Sequence, residues 1–228
     1  MSEAEVAVIV GAGSGLGAAL AKTATQAGMS VVVAARDAGR LTEVARSTGA
    51  MARPTDGTDA ASVEALFSEV ERRLGVPSLV VYNASRRVRG PIADLDPLEV
   101  QRVLQVTAYG GFLVAQAAVR RMLPRGQGTL IFTGASASVK GYAESAPFAM
   151  GKFALRGLAQ SLARELGPRG LHVAHVIIDG AIRRGGPMIG DDTLIDPGAI
   201  AAAYLQIHAQ PPSTWTHEID LRPAAERF

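Results

Sequence analysis

The sequence predicts an α/β fold, a doubly wound parallel sheet flanked by helices on both faces. Three observations carry this. Short apolar runs of strand length alternate with longer helical segments along most of the chain. The first run, Val6-Ala7-Val8-Ile9-Val10, is apolar at every position, as expected of a parallel strand covered on both sides. It ends in Gly11-Ala12-Gly13-Ser14-Gly15-Leu16-Gly17, a glycine turn that leads directly into a helical segment.

Taken in order, residues 16–27 are rich in alanine and leucine and read as a helix ended by Gly28. Residues 30–35 form a second buried strand, 41–48 a short helix closed by Gly49, and 50–54 a third strand. Residues 59–74 carry Val63, Leu66, Phe67, Val70 and Leu74 on one helical face. A fourth strand at 78–82 precedes a long helical stretch, 97–122, opened by Pro97 and expected to bend near Gly110-Gly111. Residues 128–133 form a fifth strand, 144–166 a helix and 172–178 a sixth strand. Asp196-Pro197 starts a helix that reaches His208, and 214–221 is an edge strand. Such alternation implies right-handed crossovers, with ligands beyond the carboxyl ends of the strands.

The chain of 228 residues suits one domain, 1–228, with no linker or repeat. A formal net charge of +2 gives no sign of a nucleic-acid groove. The absence of cysteine excludes disulfides and thiolate chemistry and fits a reducing compartment. The acidic start Met1-Ser2-Glu3-Ala4-Glu5 has no secretory pattern, and no apolar run reaches membrane-spanning length, so a cytoplasmic protein without a membrane partner is expected. His172 and His175, three apart on a strand, point to opposite faces, and His208 and His217 have no ligand-like neighbours, so no catalytic metal is expected.

A strand, a glycine turn and a helix N-terminus together form an anion site, because unpaired N–H groups and the positive end of the helix dipole meet there. The alternative is a tight turn with no ligand. The spacing of Gly11, Gly15 and Gly17, with Asn83-Ala84 after the fourth strand and Lys152 in a late helix, resembles the short-chain dehydrogenase/reductase family. The resemblance runs from Val6 to about Ile182 and implies a Rossmann-type sheet that binds a nicotinamide dinucleotide. Gly11, Gly13, Ser14, Gly15, Leu16, Gly17, Asn83, Ala84, Lys152, Gly180 and Ile182 fall at its cofactor positions. Ser85 replaces the glycine of its Asn-Ala-Gly turn.

Family members that prefer NAD carry an acidic residue at the end of the second strand. Ala35 stands there, followed by Arg36. A missing carboxylate and an available guanidinium favour a 2′-phosphate, and hence NADP(H) over NAD(H), with Ser14 as a further donor. The plainer reading of Arg36 is a solvated strand-end residue. Asp56 matches the family aspartate at the adenine amino group, and equally suits a turn residue bonding its own backbone in Thr55-Asp56-Gly57.

The catalytic positions depart from the family pattern. Its Tyr-x3-Lys pair, one helical turn apart, is Phe148 and Lys152, and phenylalanine has no exchangeable proton. The enoyl-reductase variant, with tyrosine seven residues before the lysine, meets Ser145. The family serine aligns with Ala135, next to Ser136, and the middle-helix asparagine with Thr107. The family Pro-Gly after the sixth strand is Asp179-Gly180, and its threonine further on is Arg184. Ala135, Phe148 and Arg184 are therefore substrate-pocket candidates. Tyr142, between the fifth strand and the helix of Lys152, is the substitute proton donor by position, with surface packing as its alternative.

The resemblance thus implies an NADP(H)-dependent oxidoreductase with an atypical active site, acting on a small-molecule substrate that is a carbonyl, imine or enone, bulky and partly exposed as readily as compact. The alternative is a non-catalytic NADP(H)-binding protein, a sensor or oligomer partner. A short glycine-rich substrate loop near 183–195 is expected to cover the cleft. The family's two-fold bundle implies a homodimer or homotetramer through 97–122 and 144–166, where Leu155, Leu158, Leu162 and Leu166 serve either the interface or the monomer core.

Overall fold

The computed structural model describes residues 4–183 and 193–225. Its central sheet is built from β1 (Val6–Val10), β2 (Ser30–Ala35), β3 (Met51–Pro54), β4 (Leu79–Tyr82), β5 (Gly128–Thr133), β6 (Leu171–Ile178) and an edge strand at Glu218–Leu221. These are ordered β3-β2-β1-β4-β5-β6-edge, and every pairing is parallel. The chain runs outward from β1 to β3, then crosses back to β4 on the other side of β1. The carboxyl ends of β1 and β4 therefore flank the switch point at which ligands bind such sheets.

Helices α1 (Leu16–Gln26), α2 (Ala38–Thr48), α3 (Ala60–Leu74), α4 (Pro97–Leu104), α5 (Gly110–Met122), α6 (Ala146–Leu166) and α7 (Pro197–His208) cover the sheet. Alternation within β1 divides the core. Val6, Val8 and Val10 pack with residues of α3, α5 and α6, while Ala7 and Ile9 pack with residues of α1, α2 and α7. The fold class is therefore the one read from the sequence. Among the described residues no helix is long and apolar enough to cross a membrane.

Several boundaries differ from expectation, each for a local reason. Helix α2 begins at Ala38, ahead of Leu41, because the Asp37 carboxylate caps it and accepts from the Arg40 N–H at 3.1 Å. Helix α6 begins at Ala146, after Glu144 takes a positive φ of 57°. The 97–122 stretch is broken at Gln105–Tyr109, a wider π turn, and Gly110-Gly111 already belongs to the following helix. Inside that turn the Val106 carbonyl accepts the Tyr82 hydroxyl. The two glycines allow close approach: a Cβ on Gly110 would stand 2.4 Å from the Tyr82 oxygen, and one on Gly111 2.6 Å from Leu155. A short parallel pair, β7 (Ala181–Ile182) with β8 (Leu194–Ile195), was not anticipated. The edge strand, β9 (Glu218–Leu221), is shorter than the expected 214–221 because Pro212–Thr214 forms a 3₁₀ turn.

The four leucines of α6 belong to the monomer. Leu155 and Leu166 are buried in the core, and Leu158 and Leu162 pack against it. The large apolar side chains that α6 leaves exposed are Met150 and Phe153, at 50% and 43% exposure, and α5 with the preceding turn exposes Phe112 stacked with Tyr109.

Candidate functional site

Gly11 has a φ of +89°, and a Cβ there would stand 2.2 Å from the Ala84 nitrogen. The Asn83 side-chain amide donates to the Gly11 carbonyl at 3.0 Å, so the ends of β1 and β4 are tied together. A Cβ on Gly17 would fall 2.6 Å from the Ala12 Cα, which lets α1 pack against the turn. Gly13 and Gly15 differ: a Cβ on either would meet nothing within 4 Å. Helix α1 has no side-chain cap and no acidic residue in its first turn. The Ala18 and Ala19 N–H groups bond the Gly13 and Gly15 carbonyls at 2.9 and 3.2 Å, so no side chain or charge of this chain competes for the positive end of the dipole, which fits the pyrophosphate of a dinucleotide. Leu16 is buried in the core and has only its backbone to offer there.

A cleft of about 660 Å³ opens from this turn and is lined by Gly11, Gly13, Arg36, Arg40, Asp56, Thr58, Asn83, Ala84 and Ser85, among others. Asp56 bonds its own turn, its Oδ1 accepting from the Thr58 N–H at 2.9 Å and the Thr58 hydroxyl at 2.8 Å. The backbone N–H of Thr58, above all, holds the Asp56 carboxyl below the usual carboxylate range. Asp56 is thus the turn residue bonding its own backbone, and it also lines the cleft. Ala35 leaves the strand end without a carboxylate, and Arg36 stands beside Arg40, which pairs with Asp37 at 3.3 Å. Ser14 and Gly15 line an adjoining cleft with Lys22, Ser47 and Arg183.

Asn83 and Ser85 also line a second cleft of about 260 Å³, together with Arg87, Thr133, Ala135, Ser136, Tyr142, Phe148, Lys152, Gly180 and Ile182. The structure thus gathers Ala135, Phe148, Tyr142 and Lys152 at one place. Lys152 is 3% exposed and donates from Nζ to the Thr133 carbonyl at 2.6 Å. Burial without a carboxylate partner lowers its pKa to about 8. Its ammonium lies 5.8 Å from the Phe148 ring centre, and the Arg87 guanidinium stands over the same ring at 5.0 Å. Ser136 lines the cleft beside Ala135, whereas the Ser138 hydroxyl accepts from the Ala135 N–H at 3.1 Å.

Thr107 does not reach the cleft. It is fully buried against Gly151 and accepts from the Arg86 N–H at 3.2 Å. Asp179 extends the β6–β9 pairing by donating its N–H to the Leu221 carbonyl at 2.9 Å, a bond that proline has no hydrogen to make. Its carboxylate faces Lys140 at 3.8 Å and Arg222 at 3.7 Å. Arg184, and the glycine-rich part of the expected loop, lie outside the described residues. The histidines have structural partners: His172 stacks on Trp215, His175 bonds Glu218, His208 bonds Thr129, and His217 meets the Val173 carbonyl.

Arg40 and Arg87 are not among the candidate site residues of the sequence, and Ser136 enters there only as the neighbour of Ala135, one residue off the serine position. A signal for Arg87 existed, because Ser85-Arg86-Arg87-Val88-Arg89 crowds three arginines just beyond the carboxyl end of β4, where ligands bind.

With this geometry in place, comparison with known proteins is direct. The family profile described as short chain dehydrogenase matches residues 5–183. An uncharacterized oxidoreductase of Staphylococcus aureus (strain N315) is 30% identical over 226 residues, covering 96% of this chain and 97% of that one. A crystal structure of a short-chain dehydrogenase from Rhodopseudomonas palustris superposes with a TM-score of 0.83 at 32% identity, covering 96% and 98% of the two chains. An actinorhodin polyketide ketoreductase crystallised with NADPH has the same fold, with a TM-score of 0.89 at 23% identity and coverage of 98% and 97%.

The environment of Lys152 gives a direct expectation. Its Nζ should titrate with a midpoint at about 8 in an NMR pH series on the protein without dinucleotide, and a midpoint above 10 would contradict its desolvation. The folded pKa lies below the ordinary lysine value, so the unfolded chain holds the extra proton between them. This group's contribution to stability should therefore rise as the pH increases from about 8 towards 10.5.

Proposed function

Because this chain belongs to the short chain dehydrogenase family, we propose that it is an NADP(H)-dependent oxidoreductase acting on a carbonyl, imine or enone, with Phe148 and Ala135 in place of the usual tyrosine and serine. The observation that carries this is the continuity of the two clefts through Asn83 and Ser85. One end offers the glycine turn at Gly11–Gly13 and Arg36, and the other a buried lysine bonded to the end of β5.

A bound nicotinamide would supply or accept the hydride. The residues of this chain do the rest. Asn83 holds the turn between the clefts by its bond to Gly11. Arg36, with no carboxylate at Ala35 to oppose it, is the phosphate partner that favours NADP(H). The ketoreductase of the same fold crystallised with NADPH is consistent with that preference. Lys152 keeps an exchangeable proton at Nζ inside the cleft, and a pKa of about 8 makes that proton available near neutral pH. Tyr142, half exposed beneath the Lys140 ammonium, is a second hydroxyl at the rim. Phe148 gives the reacting oxygen no hydrogen bond, so electrophiles needing little protonation, an iminium or an activated enone, suit this cleft better than a simple ketone.

The exposed stripe of Met150 and Phe153 on α6, with Tyr109 and Phe112 near the start of α5, is our candidate for the homodimer or homotetramer contact. Light scattering at micromolar concentration should report at least a dimer, and Phe153→Glu should lower the mass. A wild-type monomer would refute this contact.

Cofactor choice is tested by direct binding. Arg36→Ala should weaken NADPH by about tenfold or more while leaving NADH within about twofold, the loss expected of a charge-assisted phosphate contact. Equal weakening of both dinucleotides, or tighter wild-type binding of NADH, would remove the NADP(H) preference.

The active-site assignment is tested by restoring the missing groups. The double variant Phe148→Tyr, Ala135→Ser should raise NADPH-dependent ketone reduction by about 10²-fold, the low end for a recovered general acid. NADPH affinity should stay nearly constant. A wild-type rate already equal to that of the double variant would mean that the positions are misassigned, with Tyr142 then the first donor to replace.

A further inference from the structure

Within the proposed substrate cleft, charge is distributed unevenly. Its described lining holds two cationic side chains, Arg87 and Lys152, and no carboxylate. Two of the nearby acids are committed elsewhere. Glu99 pairs with Arg86 and Arg102, and Asp179 faces Lys140 and Arg222. Among the described residues Arg87 has no ion pair; its guanidinium lies over Phe148, with the Arg89 cation and the Tyr142 hydroxyl as its electrostatic neighbours. Opposite-signed charge is thus missing where two cations flank one aromatic ring.

We propose that the cleft selects a carbonyl compound that also carries an anionic group, and that Arg87 pairs with that anion across the face of Phe148. This rests on reading the cleft as a carbonyl site, and it adds the substrate class. The physical case follows from what the cleft lacks. With phenylalanine at position 148 and alanine at 135, the reacting oxygen has lost two hydrogen-bond donors that would orient it. An ion pair at the far end of the substrate restores orientation through binding energy spent away from the reacting atoms. A planar guanidinium with parallel N–H groups suits a carboxylate, sulfonate or phosphate oxygen pair, and the ring beneath it keeps the guanidinium in place. Ile178, Ile182 and Ala137 give the rest of the cleft an apolar wall for the carbon skeleton.

Paired ketones that differ only in a carboxylate against a methyl group isolate this contact. Levulinate against 2-pentanone, and 4-acetylbenzoate against 4-methylacetophenone, would be titrated calorimetrically into the protein saturated with NADP⁺. The charged member of at least one pair should bind about tenfold more tightly, the scale of one charge-assisted contact. That ratio should fall to near one in Arg87→Ala and recover in part in Arg87→Lys. Equal affinities within both pairs, or a preference that survives Arg87→Ala, would overturn the proposal. NADP⁺ binding, measured first in the same cell, reports separately on the dinucleotide reading. If it fails, the ketone pairs titrated into the unsaturated protein still decide whether Arg87 selects an anion.

Discussion

A methyl group at Gly11 would stand 2.2 Å from the Ala84 nitrogen, and the relation between the two clefts depends on that closeness. The end of β1 and the end of β4 can meet only if neither carries bulk on the facing side. Glycine supplies the missing Cβ and the positive φ, and Asn83 fastens the contact through the Gly11 carbonyl. The Asn83 N–H also donates to the Val10 carbonyl at 2.8 Å, so β4 is held to β1 by backbone as well as side chain. Because Asn83 borders both cavities, the same contact that ties β1 to β4 also joins the cleft beside the glycine turn to the space around Lys152.

Lys152 shows how burial sets chemistry without a charged partner. Its ammonium donates to one backbone carbonyl and lies 5.8 Å from the Phe148 ring centre, with no carboxylate partner, so desolvation governs its proton affinity. Phe148 and Ala135 add no donors to the cleft, so the neutral hydroxyls of its lining are those of Ser85, Thr133, Ser136 and Tyr142, in a cleft whose described lining holds two cations and no carboxylate.

The floor of the second cleft is supported from the sheet edge. Glu218 on β9 accepts two bonds of 2.7 Å from Arg156 of α6 and one of 2.9 Å from His175 of β6, joining three elements behind the ends of β5 and β6. Burial lowers the His175 pKa, and Glu218 opposes that shift. The Asp179 N–H carries the β6–β9 pairing one residue further, immediately before Gly180 enters the cleft lining. Proline at that position would end the ladder earlier.

Fold class, strand order in sequence, the glycine turn and the positions of Phe148, Ala135 and Lys152 were legible in the sequence. Each depends on local pattern: apolar runs, glycine spacing, one helical turn between two residues. The strands β1, β2 and β5 have the expected bounds for that reason. Four features came from packing between distant segments. The break at Gln105–Tyr109 exists because Tyr82 claims the Val106 carbonyl. Thr107 is withdrawn because Gly151 lets α6 close over it. The α6 leucines turn inward because the sheet lies on that side, which leaves Met150 and Phe153 exposed. Arg87 becomes a cleft residue only when β4 and α6 bring it over Phe148, a meeting of positions 61 residues apart (148 − 87) that no local spacing encodes. Sequence alone determined which chemical groups are present and which are missing. Tertiary structure decided which of them face one another, because burial and charge pairing are properties of contacts made across the chain.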